Sequence, residues 1–378
     1  MNIPNPKNPA NSASSAKVKV RLINLGGPRH AAEVEPFLVD LLTDPLMVDM
    51  PLPFFIQKPL MSYVARKRAI KVAHKYESMG FGGGSPIVAE TERQARSLQE
   101  RLSSLAPQVN WEIVVSMTCG SPNVRDLSPV DLIPAQNNII LPLYPQFSRS
   151  TTMSFGRIAA QVSGQCPLSR AGCIAPFYND QRYHQAIADL ILEHWQRGLD
   201  PQYFIQLDAS RSSVDWRRNT LLFSAHGIPM RLIHKGDQYQ KQIEANAQAI
   251  TKILRKQGFS GEMHISYQSR LGRGKWTSPS TIAKLTELGQ ADHQNVSVYP
   301  ISFVSDHLET LEEIETELRA VALTAGISNF QRLPAPGTWP PFIEFLAQLV
   351  LAHSQDAQAD DRCQCLEMGG ERLRACSH

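Results

Sequence analysis

The chain has 378 residues, of which 42% are hydrophobic and 19% charged, which is typical of a globular protein of two or three domains. The formal net charge of +3 is too small to indicate a nucleic-acid-binding surface. No run of about 18 apolar residues occurs, so a membrane-spanning helix is not expected. Six cysteines in a chain of this length do not indicate a disulfide framework, and the sequence predicts a reducing, cytoplasmic compartment.

After a tail rich in Asn, Pro, Ser and Ala, short Val/Ile-rich runs alternate with helical patterns. Such runs are typical of parallel strands that are buried on both faces. The predicted strands are Val18–Leu25, Trp111–Met117, Ile139–Leu143, Thr220–Ser224, His264–Tyr267 and Val296–Phe303. Apolar residues at helical spacing predict helices over Ala95–Leu105 and Ile243–Leu254, and a last helix near Pro341–His353.

The alternation of strands and helices predicts doubly wound α/β sheets, in which ligands bind outside the carboxyl ends of the strands. The expected divisions are a flexible tail (1–16), a first domain (17–180), a second domain (181–338), a helix that packs back (339–355) and a cysteine-containing tail (356–378). The loops expected to meet at one cleft are Asn24–Pro28, Tyr144–Thr152, His226–Pro229 and Ser305–Glu309.

His226 follows a predicted strand directly, and Gly227 and Pro229 force a turn after it. An imidazole titrates near neutrality, so His226 suits proton transfer, while a plain capping role at the strand end is the alternative. Glu309 begins a second pattern, in which carboxylates recur at i, i+4 and i+8 along one helix face. Because no Lys or Arg lies four residues away to offset them, this face is either a solvated acidic surface or a path for protons or Fe²⁺.

Other segments carry weaker signals. The glycines of Phe81–Val88 allow backbone to approach a ligand closely, or form a simple turn. Tyr144 and Phe147 either stack on a flat apolar ligand or pack in the core. Asp44–Arg68 mixes apolar residues with prolines and ends in a basic cluster, so it is either an apolar lip that contacts a membrane surface or a buried irregular segment.

The cysteines gather near the C-terminus. Closely spaced thiolates are typical of a zinc or iron–sulfur site, and incidental cysteines in a frayed terminus are the alternative. A set of three thiolates needs a fourth ligand, for which Cys166 and Cys173 are the main candidates. The candidate ligands are Cys166, Cys173, Cys363, Cys365 and Cys376.

Taken together, these segments resemble the ferrochelatase family from about Val18 to His353. The motifs that carry the resemblance, in chain order, are Asn24–Pro28 (NLGGP), Gly82–Pro86 (GGGSP), Tyr144–Thr152 (YPQFSRSTT), Ser224–Pro229 (SAHGIP), Gly236–Tyr239 (GDQY), Tyr267–Trp276 (YQSRLGRGKW) and Ser305–Glu313 (SDHLETLEE). Their order along the chain makes the set far more specific than any one motif.

The resemblance implies two similar Rossmann-like domains with four-stranded parallel sheets flanked by helices, and a porphyrin between them. It implies a lyase that inserts Fe²⁺ into protoporphyrin IX, the last step of heme formation. It assigns the catalytic and metal-binding roles to His226 and Glu309. It assigns a proton or metal relay to Asp306, His307, Glu313 and Glu317, and porphyrin contacts to Leu25, Ser85, Tyr144, Ser150 and Trp276.

The chain also departs from the family. Thr118 and Cys119 stand where members usually carry Arg and Tyr, which leaves one porphyrin carboxylate without its usual partner. Leu25 stands where relatives that use coproporphyrin tend to carry Tyr, which favours protoporphyrin IX. Some members bind a [2Fe-2S] cluster through C-terminal cysteines and one internal cysteine, whose position in some of them is taken here by Arg149.

Three readings of the function follow from the resemblance. The first is a protoporphyrin ferrochelatase. The second is a chelatase for coproporphyrin III or another tetrapyrrole or metal, and the third is a porphyrin- or heme-binding protein without turnover. The expected partners are protoporphyrin IX and Fe²⁺, a membrane surface at Asp44–Arg68 and a second copy of the chain, and no nucleic acid is expected.

Overall fold

A computed structural model describes residues 17–48, 50, 52–169, 172–207, 215–270 and 274–355. Two parallel sheets are flanked by helices. The strands are β1 (Lys17–Asn24), β2 (Asn110–Met117), β3 (Asn138–Pro142), β4 (Thr220–His226), β5 (Met263–Gln268), β6 (Asn295–Pro300) and β7 (Asn329–Arg332). The helices are α1 (Val34–Thr43), α2 (Phe54–Ser78), α3 (Ile87–Leu105), α4 (Ser154–Ser163), α5 (Gln181–Gln196), α6 (Met230–His234), α7 (Tyr239–Lys256), α8 (Thr281–Gln290), α9 (Arg319–Thr324) and α10 (Pro340–Gln355).

The first sheet has the order β2-β1-β3 and the second the order β5-β4-β6-β7. All neighbouring strands run parallel, so their carboxyl ends lie at one edge of each sheet. The α/β fold with two parallel sheets is therefore confirmed. The first strand of each sheet in chain order, β1 or β4, has a neighbour on both sides. This is expected when later strands are added on either side of the first one.

The first sheet has three strands among the described residues, rather than the four that were expected. Next to β3, the chain forms a single bridge between Ile140 and Cys173. Two hydrogen bonds make this bridge, from Ile140 N to Gly172 O (2.9 Å) and from Ile174 N to Ile140 O (2.8 Å). Pro176 follows and has no N–H to donate, so pairing does not continue into a full strand.

Helix α2 is the main departure from the sequence-based expectation. The segment Asp44–Arg68 was predicted to be either an apolar lip on a membrane surface or a buried irregular segment. Its residues 54–68 instead belong to one helix of 25 residues with Pro59 inside its second turn. Met61, Ala65 and Ala69 lie on one face of the helix and are buried against α1. Tertiary packing of this stripe stabilises the helix despite the missing N–H of Pro59.

The main apolar core runs through both sheets. It contains Leu22 of β1, Phe223 of β4 and Phe342 of α10 in one continuous cluster. Helix α10 packs against α3 and α5, and Arg101 of α3 forms an ion pair with Glu344. No helix among the described residues is both long and apolar enough to cross a bilayer.

Candidate active site

The loop after β1 packs tightly against the glycine-rich segment that precedes α3. A Cβ on Gly27 would lie 2.8 Å from the Cβ of Ser85, and a Cβ on Gly84 would lie 2.3 Å from the carbonyl of Arg29. Ser85 N donates to Pro28 O at 2.6 Å. The glycines therefore let two backbone segments meet at the carboxyl end of the first sheet.

The loop after β3 crosses from the first sheet to the second. Gln146 Nε2 donates to Asn246 Oδ1 (2.9 Å) and to Ile301 O (3.2 Å). Asp237 accepts hydrogen bonds from the backbone N–H of Arg149 (2.8 Å) and from Ser148 Oγ (3.1 Å). These buried contacts bring the carboxyl ends of the two sheets toward each other, as the topology predicts.

His226 ends β4, and its backbone N–H donates to Ser302 Oγ at 2.9 Å. Trp276 pairs with Pro229, and its ring lies 3.5 Å from where a Cβ on Gly227 would stand. Trp276, which follows β5 in the chain, therefore lies against the turn that directly follows His226.

Burial lowers the pKa of His226, Glu309 opposes the change and the nearby His307 adds to it. His226 therefore faces both of these side chains and is neutral near pH 7. The Phe303 ring lies edge-on to both His226 (6.2 Å) and His307 (4.5 Å), measured between ring centroids. An uncharged imidazole has an unprotonated nitrogen that can accept a proton.

His307 and Glu309 form an ion pair, with 3.0 Å between Nε2 and Oε2. Burial alone would raise the pKa of Glu309, but the charge and hydrogen bond of His307 outweigh it and lower the pKa to about 2. Burial would likewise lower the pKa of His307, yet Glu309 raises it above its usual range. Glu309 is therefore an anion, and a weak base, over the physiological pH range.

Glu309 begins a π-helix, Glu309–Leu318, that continues directly into α9. Glu313 accepts hydrogen bonds from Ser269 N (2.8 Å), from Ser269 Oγ and from Gln268 Nε2 (3.2 Å). Burial raises the pKa of Glu313, and the charge of Glu309 adds to the rise. The carboxylates continue to the surface at Glu317, which pairs with Lys75 of α2 at 2.5 Å.

Asp306 shortly precedes the carboxylates Glu309, Glu313 and Glu317 in the sequence, but its side chain points toward Arg332. Its carboxylate contacts the guanidinium of Arg332 at 3.3 Å and accepts from the Ala335 N–H at 3.3 Å. Asp306 is 3% exposed and Arg332 is 1% exposed, so this is a fully buried ion pair.

The opposite wall of the cleft is apolar. Leu25 packs in one cluster with Leu308, Phe37 of α1 and Met61 of α2. Tyr144 is buried, and this burial raises the pKa of its hydroxyl. Leu308 directly precedes Glu309, so the apolar wall and the acidic row meet at one point of the chain.

Tyr76 of α2 lies near Glu309 and was not found from the sequence. Tyr76 is buried, and burial raises the pKa of its hydroxyl. The charge of Glu309 raises this pKa further, while that of Arg68 lowers it, so both charged groups lie near the Tyr76 ring. Arg68 and Tyr76 are eight residues apart, which places them near each other around the helix axis of α2. The sequence could show this relation only if α2 were known to continue through Pro59.

Several other predicted site residues lie in different surroundings. Ser150 lies in a π-helical turn, Arg149–Met153, and contacts Ser148 Oγ at 3.0 Å. Cys166 and Cys173 are buried in a separate apolar cluster that also contains Phe155. Burial raises the pKa of the Cys173 thiol, which disfavours a thiolate ligand there.

The remaining cluster candidates, Cys363, Cys365 and Cys376, lie outside the described residues. Within the described ranges, no three or more His, Cys, Asp or Glu side chains are grouped so as to hold a metal ion. All five cysteines therefore stay a prediction from the sequence as cluster ligands.

Comparison with known proteins agrees with this geometry. A family model described as ferrochelatase matches residues 17–354. The chain belongs to the ferrochelatase family. It is 48% identical to the ferrochelatase of Leptospira borgpetersenii serovar Hardjo-bovis (strain JB197) over 94% of this chain and 96% of that one. It is 36% identical to the ferrochelatase of Synechocystis sp. over 90% of this chain and 83% of that one. The family predicted from the motifs is therefore confirmed.

Proposed function

We propose that this ferrochelatase-family chain inserts Fe²⁺ into protoporphyrin IX to form protoheme. The observation that carries the proposal is the position of His226 at the end of β4, where it shares the Phe303 ring with His307 of the His307–Glu309 ion pair. Insertion removes two pyrrole protons and forms bonds from Fe²⁺ to the four ring nitrogens. The site must therefore both accept protons and guide a cation to the ring nitrogens.

In this proposal, His226 is the proton acceptor. Its lowered pKa leaves the ring neutral, and its position at a strand end holds it rigidly. Glu309 is too acidic to be the base, but its negative charge stabilises the imidazolium that forms on His226 and attracts the incoming Fe²⁺. Glu313 and Glu317 lead from Glu309 to the surface, which supports a route for protons to water.

The apolar wall supports protoporphyrin IX over coproporphyrin III. Protoporphyrin IX carries vinyl groups where coproporphyrin III carries propionates, and a wall built from Leu25 and Leu308 offers no partner to a carboxylate. Arg68 and Tyr76 are the proposed partners of one propionate, in place of the Arg and Tyr that Thr118 and Cys119 replace.

Anaerobic incubation of the purified protein with Fe²⁺ tests the proposal, with either protoporphyrin IX or coproporphyrin III as acceptor and the visible spectrum as readout. We expect faster heme formation from protoporphyrin IX. His226→Ala should abolish insertion while porphyrin binding, followed by fluorescence quenching, persists. His264→Ala on β5 is the matched control and should insert iron normally. A protein that binds porphyrin but turns over neither acceptor would favour the non-catalytic reading.

The exposed face of α2 supports a peripheral membrane contact. Phe55 is 76% exposed and Ile70 is 81% exposed, and both lie on one side of the helix. The cations on the same helix are Lys58, Arg66, Lys67, Arg68, Lys71 and Lys75. Apolar side chains flanked by cations suit an anionic lipid surface.

Co-sedimentation with vesicles that contain phosphatidylglycerol tests this contact. Replacing Phe55 and Ile70 together with Ser should reduce binding to the vesicles. Leu323→Ser on α9, which replaces another exposed apolar residue, should not. Equal binding of all three proteins would rule out α2 as the contact.

Three further predictions stay open to direct measurement. Limited proteolysis between residues 170 and 181 tests the proposed boundary between the domains 17–180 and 181–338, and sedimentation tests the homodimer. An EPR spectrum of anaerobically purified protein tests the [2Fe-2S] cluster, and the insertion step proposed above involves no cluster.

A further inference from the structure

Gln94 of α3 is a buried polar residue that connects the first half of the chain to the loop after β6. Its side chain is 0% exposed. Its Nε2 donates to Val304 O (2.8 Å) and to Gly337 O (3.0 Å), and its Oε1 accepts from Ser305 Oγ (3.1 Å). One amide therefore satisfies two carbonyls and one hydroxyl that have no access to water.

Ser305 continues the connection toward the active site. Its carbonyl oxygen accepts a hydrogen bond from His307 Nδ1 at 2.9 Å, and His307 Nε2 contacts Glu309 at 3.0 Å. Two hydrogen bonds at Ser305, one from its hydroxyl to Gln94 and one to its carbonyl oxygen from His307, thus link Gln94 to the His307–Glu309 pair. Gln94 itself lies on the helix that follows the glycine-rich segment, opposite the second sheet.

We infer that Gln94 is a positioning residue: it holds the loop 304–307 so that the His307–Glu309 pair lies beside His226 at the end of the second sheet. The inference rests on the proposed iron insertion. Gln is the side chain that fits, because the position requires two N–H donors and one acceptor at the same place. Glu would supply no donor to the two carbonyls, and Met would supply neither donor nor acceptor. A displaced loop would move the ion pair, and a shift of about 1 Å can cost about a hundredfold in rate.

Gln94→Met tests the inference, because Met has nearly the same length and makes none of the three hydrogen bonds. The matched control is Gln331→Met, since Gln331 is also buried and accepts from Ser297 Oγ of the second sheet (3.1 Å), which in turn accepts from Trp195 Nε1 (2.9 Å). Both variants should lower the thermal unfolding temperature. Gln94→Met should in addition lower kcat about tenfold or more while the KM for porphyrin stays within about twofold. Gln331→Met should leave kcat unchanged.

Ser305→Ala provides a milder second variant, which keeps the test available if Gln94→Met does not fold. It removes one hydroxyl and should also lower kcat with porphyrin KM unchanged. In the double variant, the loss in kcat should be no larger than the larger single loss, because both residues act through one connection. If the wild-type enzyme is active, either of two results would overturn only the positioning role of Gln94. One is that the losses in kcat add in the double variant, and the other is that kcat is unchanged in either single variant. A wild-type protein that inserts iron into neither porphyrin would overturn the proposed function and this inference with it.

Discussion

His307 donates from Nε2 to Glu309 at 3.0 Å and from Nδ1 to the carbonyl oxygen of Ser305 at 2.9 Å. Both partners are acceptors without a hydrogen to give, so the ring carries both of its protons and is a cation. This agrees with the raised pKa of His307 and with the pKa of about 2 for Glu309. The proton-accepting role in the cleft is therefore left to the neutral His226.

The pH dependence of iron insertion should report His226. The base must be neutral, and its pKa lies below the usual 6.5. Activity should therefore be full near pH 7 and should fall as the pH falls through a midpoint below 6.5. Anaerobic measurement of kcat/KM against pH checks this. A midpoint above 6.5 would contradict the assignment of His226 as the base.

Glu309→Gln should lower kcat by about a hundredfold or more, because an amide can neither balance His307 nor attract Fe²⁺. Steady-state kinetics at pH 7 measure this loss. Porphyrin affinity should change little, because the change is at the metal side of the cleft. A variant that keeps wild-type kcat would show that Glu309 takes no part in insertion.

The same substitution should change stability in a defined pH window. The lowered pKa of Glu309 stabilises the fold above its usual value of 4.5, and the raised pKa of His307 stabilises it below 6.5. The gap in unfolding temperature between wild type and Glu309→Gln should thus be largest between these values. It should shrink as the pH rises through the raised pKa of His307. A gap that is constant with pH would contradict the ion pair.

Asp306→Asn should destabilise the protein and spare the chemistry. Removing the charge leaves the buried Arg332 with Glu315 (3.3 Å) as its remaining carboxylate partner, so the loss should lie below the roughly 3–5 kcal/mol of a wholly unpaired buried charge. Denaturant unfolding should show this loss, while kcat of the folded fraction stays near the wild-type value. A stable Asp306→Asn variant with a large loss in kcat would instead assign Asp306 to the proton relay.

Glu90→Gln should stabilise the protein at alkaline pH. Burial raises the pKa of Glu90 to about 7, so the stability of the wild type is full below 4.5 and declines as the pH rises through about 7. At pH 8 the variant should be more stable by roughly 1–3 kcal/mol, and the difference should vanish near pH 4.5. Glu92→Gln, at a more exposed position of α3, serves as the control and should show no such trend.

Much of the fold was predictable because buried parallel strands leave a strong local signal. The ends of β1, β2 and β3 lie within one residue of the predicted ends. Strand β7, Asn329–Arg332, was missed because its four residues are mostly polar and too short for a pattern. Pairing with β6 and burial of Phe330 make it a strand, and both are tertiary effects.

For the site, the sequence by itself determined which residues are proposed to carry the chemistry: ordered motifs brought His226, His307 and Glu309 to attention and placed them at strand ends. The tertiary structure alone decided their electrical states. Asp306 and Glu309 are both acidic and three residues apart, yet one is paired with Arg332 and the other with His307. A carboxylate's partner depends on which distant segment folds against it, and burial and nearby charge set its pKa. No local pattern encodes either, so the roles of Gln94, Arg68 and Tyr76 emerged only once the two halves were packed together.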